Sequence, residues 1–227
     1  MNDVVDPAGR LVAAASRLGL QLDAGQQQKL LAYLQLIAKW NKVYNLTAVR
    51  DPEEMLVSHL FDSLAVVGPL RAQTRGRALG LLDVGSGAGL PGVVIAICCP
   101  EIRVDCVDTV GKKAAFVQQA AAQLQLVNLR GVHDRVENLQ GAYEVITSRA
   151  FASLPDFVSW SSGALADDGL WLAMKGKHPD AEIAALPSEV EVFHVEQLRV
   201  PDLDAERCIV WMRRRTESAT GHSAPGR

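Results

Sequence analysis

Apolar residues recur at spacings of three and four through Leu30, Leu31, Leu34, Leu36 and Ile37 to Trp40, and Asp23 stands where a cap for that helix belongs. A shorter helix is expected over residues 10–18, ending at Gly19 and preceded by a loose stretch 1–9. Residues 40–47 interleave polar and aromatic side chains with no clean period. Asp51-Pro52-Glu53-Glu54 places a cap before a proline at the first helical position. The helix it opens carries Met55, Leu56, His59, Leu60, Leu64 and Val67 and is expected to stop near Gly68-Pro69, with residues 71–80 a basic link. From Leu81 the pattern changes to short apolar runs alternating with helical periods. Strands are predicted at 81–84, 103–107, 127–132, 143–147 and 170–174, helices at 93–99, 112–124, 155–165 and 180–185, and a closing β-hairpin from 190–198 and 208–213. Such alternation is the signature of an α/β fold, a mostly parallel seven-stranded sheet wrapped by helices. Three segments follow: a helical extension over 1–70, a sheet domain over 71–215 and a tail over 216–227 too polar to pack.

Composition narrows the class. At 227 residues, 48% hydrophobic and 22% charged, the chain is an ordinary globular protein. Its net charge of −3 gives no global footprint for nucleic acid, so any RNA contact must come from a local basic patch. Cys98, Cys99, Cys106 and Cys208 fit neither C-x-x-C spacing nor a small disulfide scaffold, and reduced, buried thiols are expected. The five histidines show no metal-ligand spacing, so no metal is expected. No secretion signal or membrane-length apolar run is visible, and a cytoplasmic monomer is expected.

The chemistry centres on residues 81–92. An apolar run ends in Asp83, and Gly85, Gly87, Gly89 and Gly92 then fall within eight residues, just before the apolar helix 93–99. Strand, glycine turn and helix start open a nucleotide-binding α/β unit, because the backbone must turn sharply and lie against a ligand. Gly87-Ala88-Gly89-Leu90-Pro91-Gly92 fits the dinucleotide pattern, which leaves an NAD-dependent oxidoreductase open. Two features favour S-adenosylmethionine (SAM). Asp83 ahead of Gly85 and Gly87 resembles the first motif of Rossmann-like class I methyltransferases, and Pro91 offers no N–H to a pyrophosphate. Asp108 ends the second predicted strand, 23 residues after Gly85, where an acid accepts both ribose hydroxyls of an adenosine. Val136 and Glu137, after the third strand, are candidates to flank the adenine.

Absences constrain the reaction. No Pro-Cys for pyrimidine C5 attack and no N/D-P-P-aromatic loop for exocyclic amines follows the fourth strand; Ser148-Arg149-Ala150-Phe151 stands there instead. A target with an in-plane lone pair, such as guanine N7, needs neither nucleophile nor base. The enzyme's work is then to hold the acceptor in line with the sulfonium methyl, about 3–3.5 Å away.

Together, Trp40-Asn41-Lys42-x-Tyr44-Asn45-Leu46-Thr47, His59-x-x-Asp62-Ser63, the run 83–92, Asp108-x-x-x-Lys112-Lys113, Ser148–Phe151, Lys175-Gly176 and Glu206-Arg207 resemble the bacterial 16S rRNA guanine-N7 methyltransferases, the glucose-inhibited division protein B or RsmG family. The resemblance covers roughly residues 10–213. It implies SAM held by Gly85, Leu90, Val136, Glu137 and Arg149, and as acceptor a guanine near the decoding centre of 16S rRNA or the small ribosomal subunit. Arg149, Lys175 and Arg207, at strand ends on the expected pocket rim, are the candidate catalytic residues. Lys39, Lys42, Tyr44 and Arg50 are implied as an RNA-facing wall, with Trp40 a packing residue. A non-catalytic SAM- or RNA-binding module is the remaining alternative.

Overall fold

The computed structural model describes residues 6–141 and 143–215, so the expectations for residues 1–5 and for the tail 216–227 lie outside the described residues. Helix α1 (Pro7–Arg17) starts earlier than its apolar pattern, because the Asp6 side chain caps the Ala8 amide and proline fits the first turn. Helix α2 (Ala24–Tyr44) opens on a full capping box between Asp23 and Gln26 and runs through the aperiodic stretch to an Asn45 in the left-handed conformation. Next comes one helical run: α3 (Pro52–Met55), capped by Asp51, a π-helical turn (Leu56–Phe61) and α4 (Asp62–Leu64). The expected stop at Gly68-Pro69 is not where the helices end. Both residues lie in the first turn of α5 (Val67–Thr74), where amides have no intrahelical acceptor and a proline therefore breaks no bond.

The sheet comprises β1 (Leu79–Val84), β2 (Ile102–Asp108), β3 (Leu129–His133), β4 (Tyr143–Arg149), β5 (Leu165–Lys175), β6 (Val190–Leu198) and β7 (Arg207–Arg214), ordered β3-β2-β1-β4-β5-β7-β6. Strands β1 to β5 pair in parallel, and β7 lies antiparallel between β5 and β6. Asp167-Asp168-Gly169, expected as a loop, falls inside β5. Pairing jumps from Tyr143↔Leu165 to Val145↔Leu170, so the surplus residues bulge out and leave both acids on the surface. Between the strands run α6 (Gly92–Cys98), α7 (Gly111–Gln123), α8 (Leu154–Ser161) and α9 (Asp180–Ala184).

Alternation along the strands divides the core into two layers. Leu81, Val104, Cys106, Val145, Leu172 and Trp211 pack on one face with α6, α7 and the helices of residues 7–74. Leu82, Val107, Ile146, Trp171, Val210 and Met212 face the other way, against Leu154, Phe157 and Val158 of α8. Strand β1 is buried along its whole length, as a central parallel strand covered on both faces must be. Its C-terminal end delivers the glycine turn to the sheet edge where ligands bind in open α/β folds.

Candidate active site

Asp83, fully buried near the end of β1, accepts the Gly92 amide on Oδ2 at 2.8 Å and so ties the strand to the start of α6. Its Oδ1 has no hydrogen-bond partner among the described residues. Burial pushes this carboxyl up to about 7, against the opposing pull of the Gly92 amide and the Arg149 charge. Two of the glycines are needed for different reasons. Gly85 (φ +64°) donates to Val107 O at 2.9 Å, and a Cβ there would enter the Phe151 ring. Gly87 (φ +59°) would place a Cβ in open space, more than 4 Å from any protein atom. Its amide donates to Asp108 Oδ2 at 3.0 Å, while Asp108 Oδ1 accepts the Val110 amide at 2.9 Å. Asp108 thereby joins the two loops that follow β1 and β2.

The predicted cofactor residues other than Asp83 line two clefts; Asp83, buried and bound to the Gly92 amide, lines neither and supports the turn from within. One, of about 450 Å³, is lined by Asp108, Val136, Glu137, Phe151 and Trp160. Val136 is buried in a 3₁₀ turn after β3, whereas the Glu137 carboxylate pairs with Arg135 at 2.8 Å. The other cleft, of about 460 Å³, brings Gly87 and Leu90 together with Arg149, Lys175 and Arg207. These three basic residues share one sheet edge because β4 and β5 end there and antiparallel β7 begins there. Gly85 and Ala150 line both clefts. Ala150 takes φ +51°, a left-handed conformation that costs a non-glycine residue roughly 1–2 kcal/mol and bends the chain where the clefts join.

Partners of the basic residues come from elsewhere in the chain. Arg149 donates to Ser58 O at 2.8 Å and to Asp62 Oδ2 at 2.9 Å, and Arg207 donates to Asp62 Oδ1 at 2.8 Å. Lys175 is held by Glu182 Oε2 at 2.7 Å and Ala152 O at 2.9 Å. His59, also on the cleft wall, lies 2.9 Å from Thr47 Oγ1 and is brought down to about 4, first by burial and then by Arg149. The Thr47 hydroxyl also accepts the Val49 amide at 3.2 Å, which ties the loop after α2 to the same group. Asn41 completes that wall by accepting the Thr47 amide and donating to Val49 O.

A family model described as rRNA small subunit methyltransferase G matches residues 26–210. The chain belongs to that family. The Ribosomal RNA small subunit methyltransferase G of Paracidovorax citrulli is 60% identical over 95% of this chain and 93% of its own length. The protein of the same name from Albidiferax ferrireducens is 64% identical over 86% of this chain and 92% of its own. Among solved structures, magnesium protoporphyrin IX methyltransferase from Synechocystis superposes with a TM-score of 0.59 at 16% identity, over 86% of this chain and 99% of that one. The 1,6-didemethyltoxoflavin-N1-methyltransferase of Burkholderia thailandensis gives 0.56 at 14% identity, over 86% and 92%. At such identities the likeness establishes the fold, which is that of a Rossmann-like class I methyltransferase. An oxidoreductase or a non-catalytic module finds no support among these relatives.

For this member of the methyltransferase G family, three contributors to the site carry no role in the sequence pattern. Tyr33, whose hydroxyl donates to Ala88 O in the glycine turn, Ser58 and Asp62 all come from the first 70 residues. His59 and Asp62 were visible only as part of a motif, with no role attached. Their signal is a histidine and an aspartate three apart on a helix whose neighbouring positions are mostly apolar, where an unpaired charge would be costly. Trp40 stacks on Tyr44 at 5.0 Å and edge-on against Phe116 at 5.4 Å, so packing is its role.

Proposed function

We propose that the protein transfers the methyl group of SAM to N7 of a guanine in 16S rRNA. The observation that carries this reading is the pair of clefts meeting at Gly85 and Ala150, acidic and aromatic on one side and basic on the other. The residues of the first cleft suit SAM. Asp108 offers carboxylate lone pairs to ribose hydroxyls and Val136 an apolar surface to adenine, while in the adjoining cleft the open side of Gly87 lets the backbone lie against the ligand. Bound SAM supplies an electrophilic sulfonium methyl.

The chain's own contribution is orientation. Nucleophilic N7 carries a lone pair at neutral pH, so no residue need remove a proton. His59, held near 4, remains neutral and serves as cleft wall. Arg149 has N–H groups to spare for guanine O6 beside N7, and a planar fork fixes the base more tightly than an ammonium does. Arg149 and Arg207 share a single carboxylate, so the pair keeps one net positive charge for the RNA backbone. RNA approaches over the end of α2, where exposed Lys42, Val43, Tyr44 and Arg50 adjoin the cleft residues Leu46 and Thr47.

Methyl-tritiated SAM, incubated with the protein and small ribosomal subunits, tests the reading. Label is expected in 16S rRNA, at a guanine cleaved by N7-specific chemistry and unmodified in cells lacking the gene. Calorimetric SAM binding without transfer, or label at an atom other than N7, would overturn it.

A further inference from the structure

We propose that Asp62 is a positioning residue for methyl transfer, fixing Arg149 and Arg207 side by side on the cleft wall; this rests on the functional reading above. Asp62 follows the π-helical turn and is almost fully buried. Each of its carboxylate oxygens takes one guanidinium: Oδ2 meets Arg149 Nη1 at 2.9 Å and Oδ1 meets Arg207 Nε at 2.8 Å. The two arginines stand 87 and 145 residues downstream and enter from different strand ends.

The grip defines which donors remain. Arg149 Nη1 also donates to Ser58 O at 2.8 Å, one helical turn before Asp62, so both of its hydrogens are used. Arg149 Nε and Nη2 and Arg207 Nη2 have no acceptor among the described residues, and both side chains line the cleft. A guanidinium is planar, so fixing one edge fixes the direction of the other. A charge that served stability alone would need one partner, and two part-buried cations drawn onto one buried anion are a poor source of stability. What the arrangement provides is geometry: two free edges in set positions, facing the oxygen acceptors of a bound nucleotide. A displacement of about 1 Å in such groups lowers turnover on the order of a hundredfold.

The test compares wild type with Asp62→Glu, which keeps the charge but moves the carboxylate out by one carbon, and with Asp62→Asn. Melting temperature, calorimetric SAM affinity, and kcat and KM on small subunits are measured on each preparation. In Asp62→Glu, kcat is expected to fall tenfold to a hundredfold, in round figures, with melting temperature and the KM for RNA little changed. Asp62→Asn should lose turnover as well, along with some stability. A kcat within about twofold of wild type in either folded variant overturns the proposal. So does failure of both to fold, which would assign Asp62 to stability. A wild type that binds SAM but methylates no RNA would sink the functional reading itself, and this proposal with it.

Discussion

The Tyr33 hydroxyl donates to Ala88 O at 2.6 Å, with Gly89 O at 3.2 Å, so a helix of the first 70 residues holds the glycine turn from behind. Tyr33 is fully buried and its pKa is raised well above the ordinary value, chiefly by burial, so the phenol keeps its proton over the working range. Tyr33→Phe leaves a buried carbonyl without its donor, which costs roughly 1–3 kcal/mol. For a chain of this size each kcal/mol lowers the melting temperature by about 2–4 °C. The same variant should bind SAM more weakly. Wild-type melting together with wild-type affinity would show that the bond holds nothing in place.

Gly85 and Gly87 should fail in different ways. Gly85→Ala drives a methyl into Phe151, so loss of folding or of soluble protein is expected. Gly87→Ala pays only the left-handed strain, about 1–2 kcal/mol, because its Cβ meets no protein atom. Its side chain would occupy the ligand's space, and SAM affinity should vanish from a folded protein. Thermal melts and calorimetry on the pair settle the point, and a Gly87→Ala protein that binds SAM normally would remove this turn from the pocket.

Asp108→Ala strips the acceptor from the Gly87 and Val110 amides and from the expected ribose hydroxyls. A loss of about 1.5–3 kcal/mol in SAM binding is expected, the usual size for hydrogen bonds to a charged group. RNA binding without cofactor should be almost untouched. Intact SAM affinity with weakened RNA binding would place the cofactor elsewhere.

Two buried groups should oppose each other in acid. Asp83, raised to about 7 chiefly by burial, keeps a proton in the fold that the unfolded chain loses above about 3.9, so its contribution to stability falls as pH rises from 4 towards 7. His59, lowered to about 4 chiefly by burial, is protonated only in the unfolded chain between about 4 and 6.5, so its contribution falls as pH drops through that window. Each slope approaches 1.4 kcal/mol per pH unit, roughly, with opposite sign. Urea unfolding of His59→Gln between about pH 4.5 and 6.5 should show stability falling with pH, and Asp83→Asn should show it rising. Identical slopes in the two variants would contradict both shifts.

The sheet could be read from the sequence because its strands are short apolar runs with turn chemistry between them, and the glycine turn because Gly85–Gly92 is dense and follows an acid. Misplaced boundaries share a cause. Gly68-Pro69 reads as a stop by composition, yet a first turn tolerates both, and Asp167–Gly169 reads as a loop although a bulge keeps it within β5. The site was half legible. Asp108, Arg149, Lys175 and Arg207 lie at strand ends, where topology predicts ligand contacts. Tyr33 and Asp62 sit on helices whose apolar period describes a core, and their partners are 55 and more residues away. Periodicity is local and carries no information about such pairings.

The reach from Asp62 to Arg207 has a consequence for biosynthesis. Asp62 leaves the ribosome 145 residues before Arg207, so the nascent chain exposes the acid, then the glycine turn, then Arg149, and only afterwards the last cation of the set. A product broken off ahead of β7 lacks the residue that completes the Asp62 cluster and the strand between β5 and β6. Completion of the cleft therefore requires synthesis to pass through β7, and a chain broken off ahead of that strand lacks the finished Asp62 cluster.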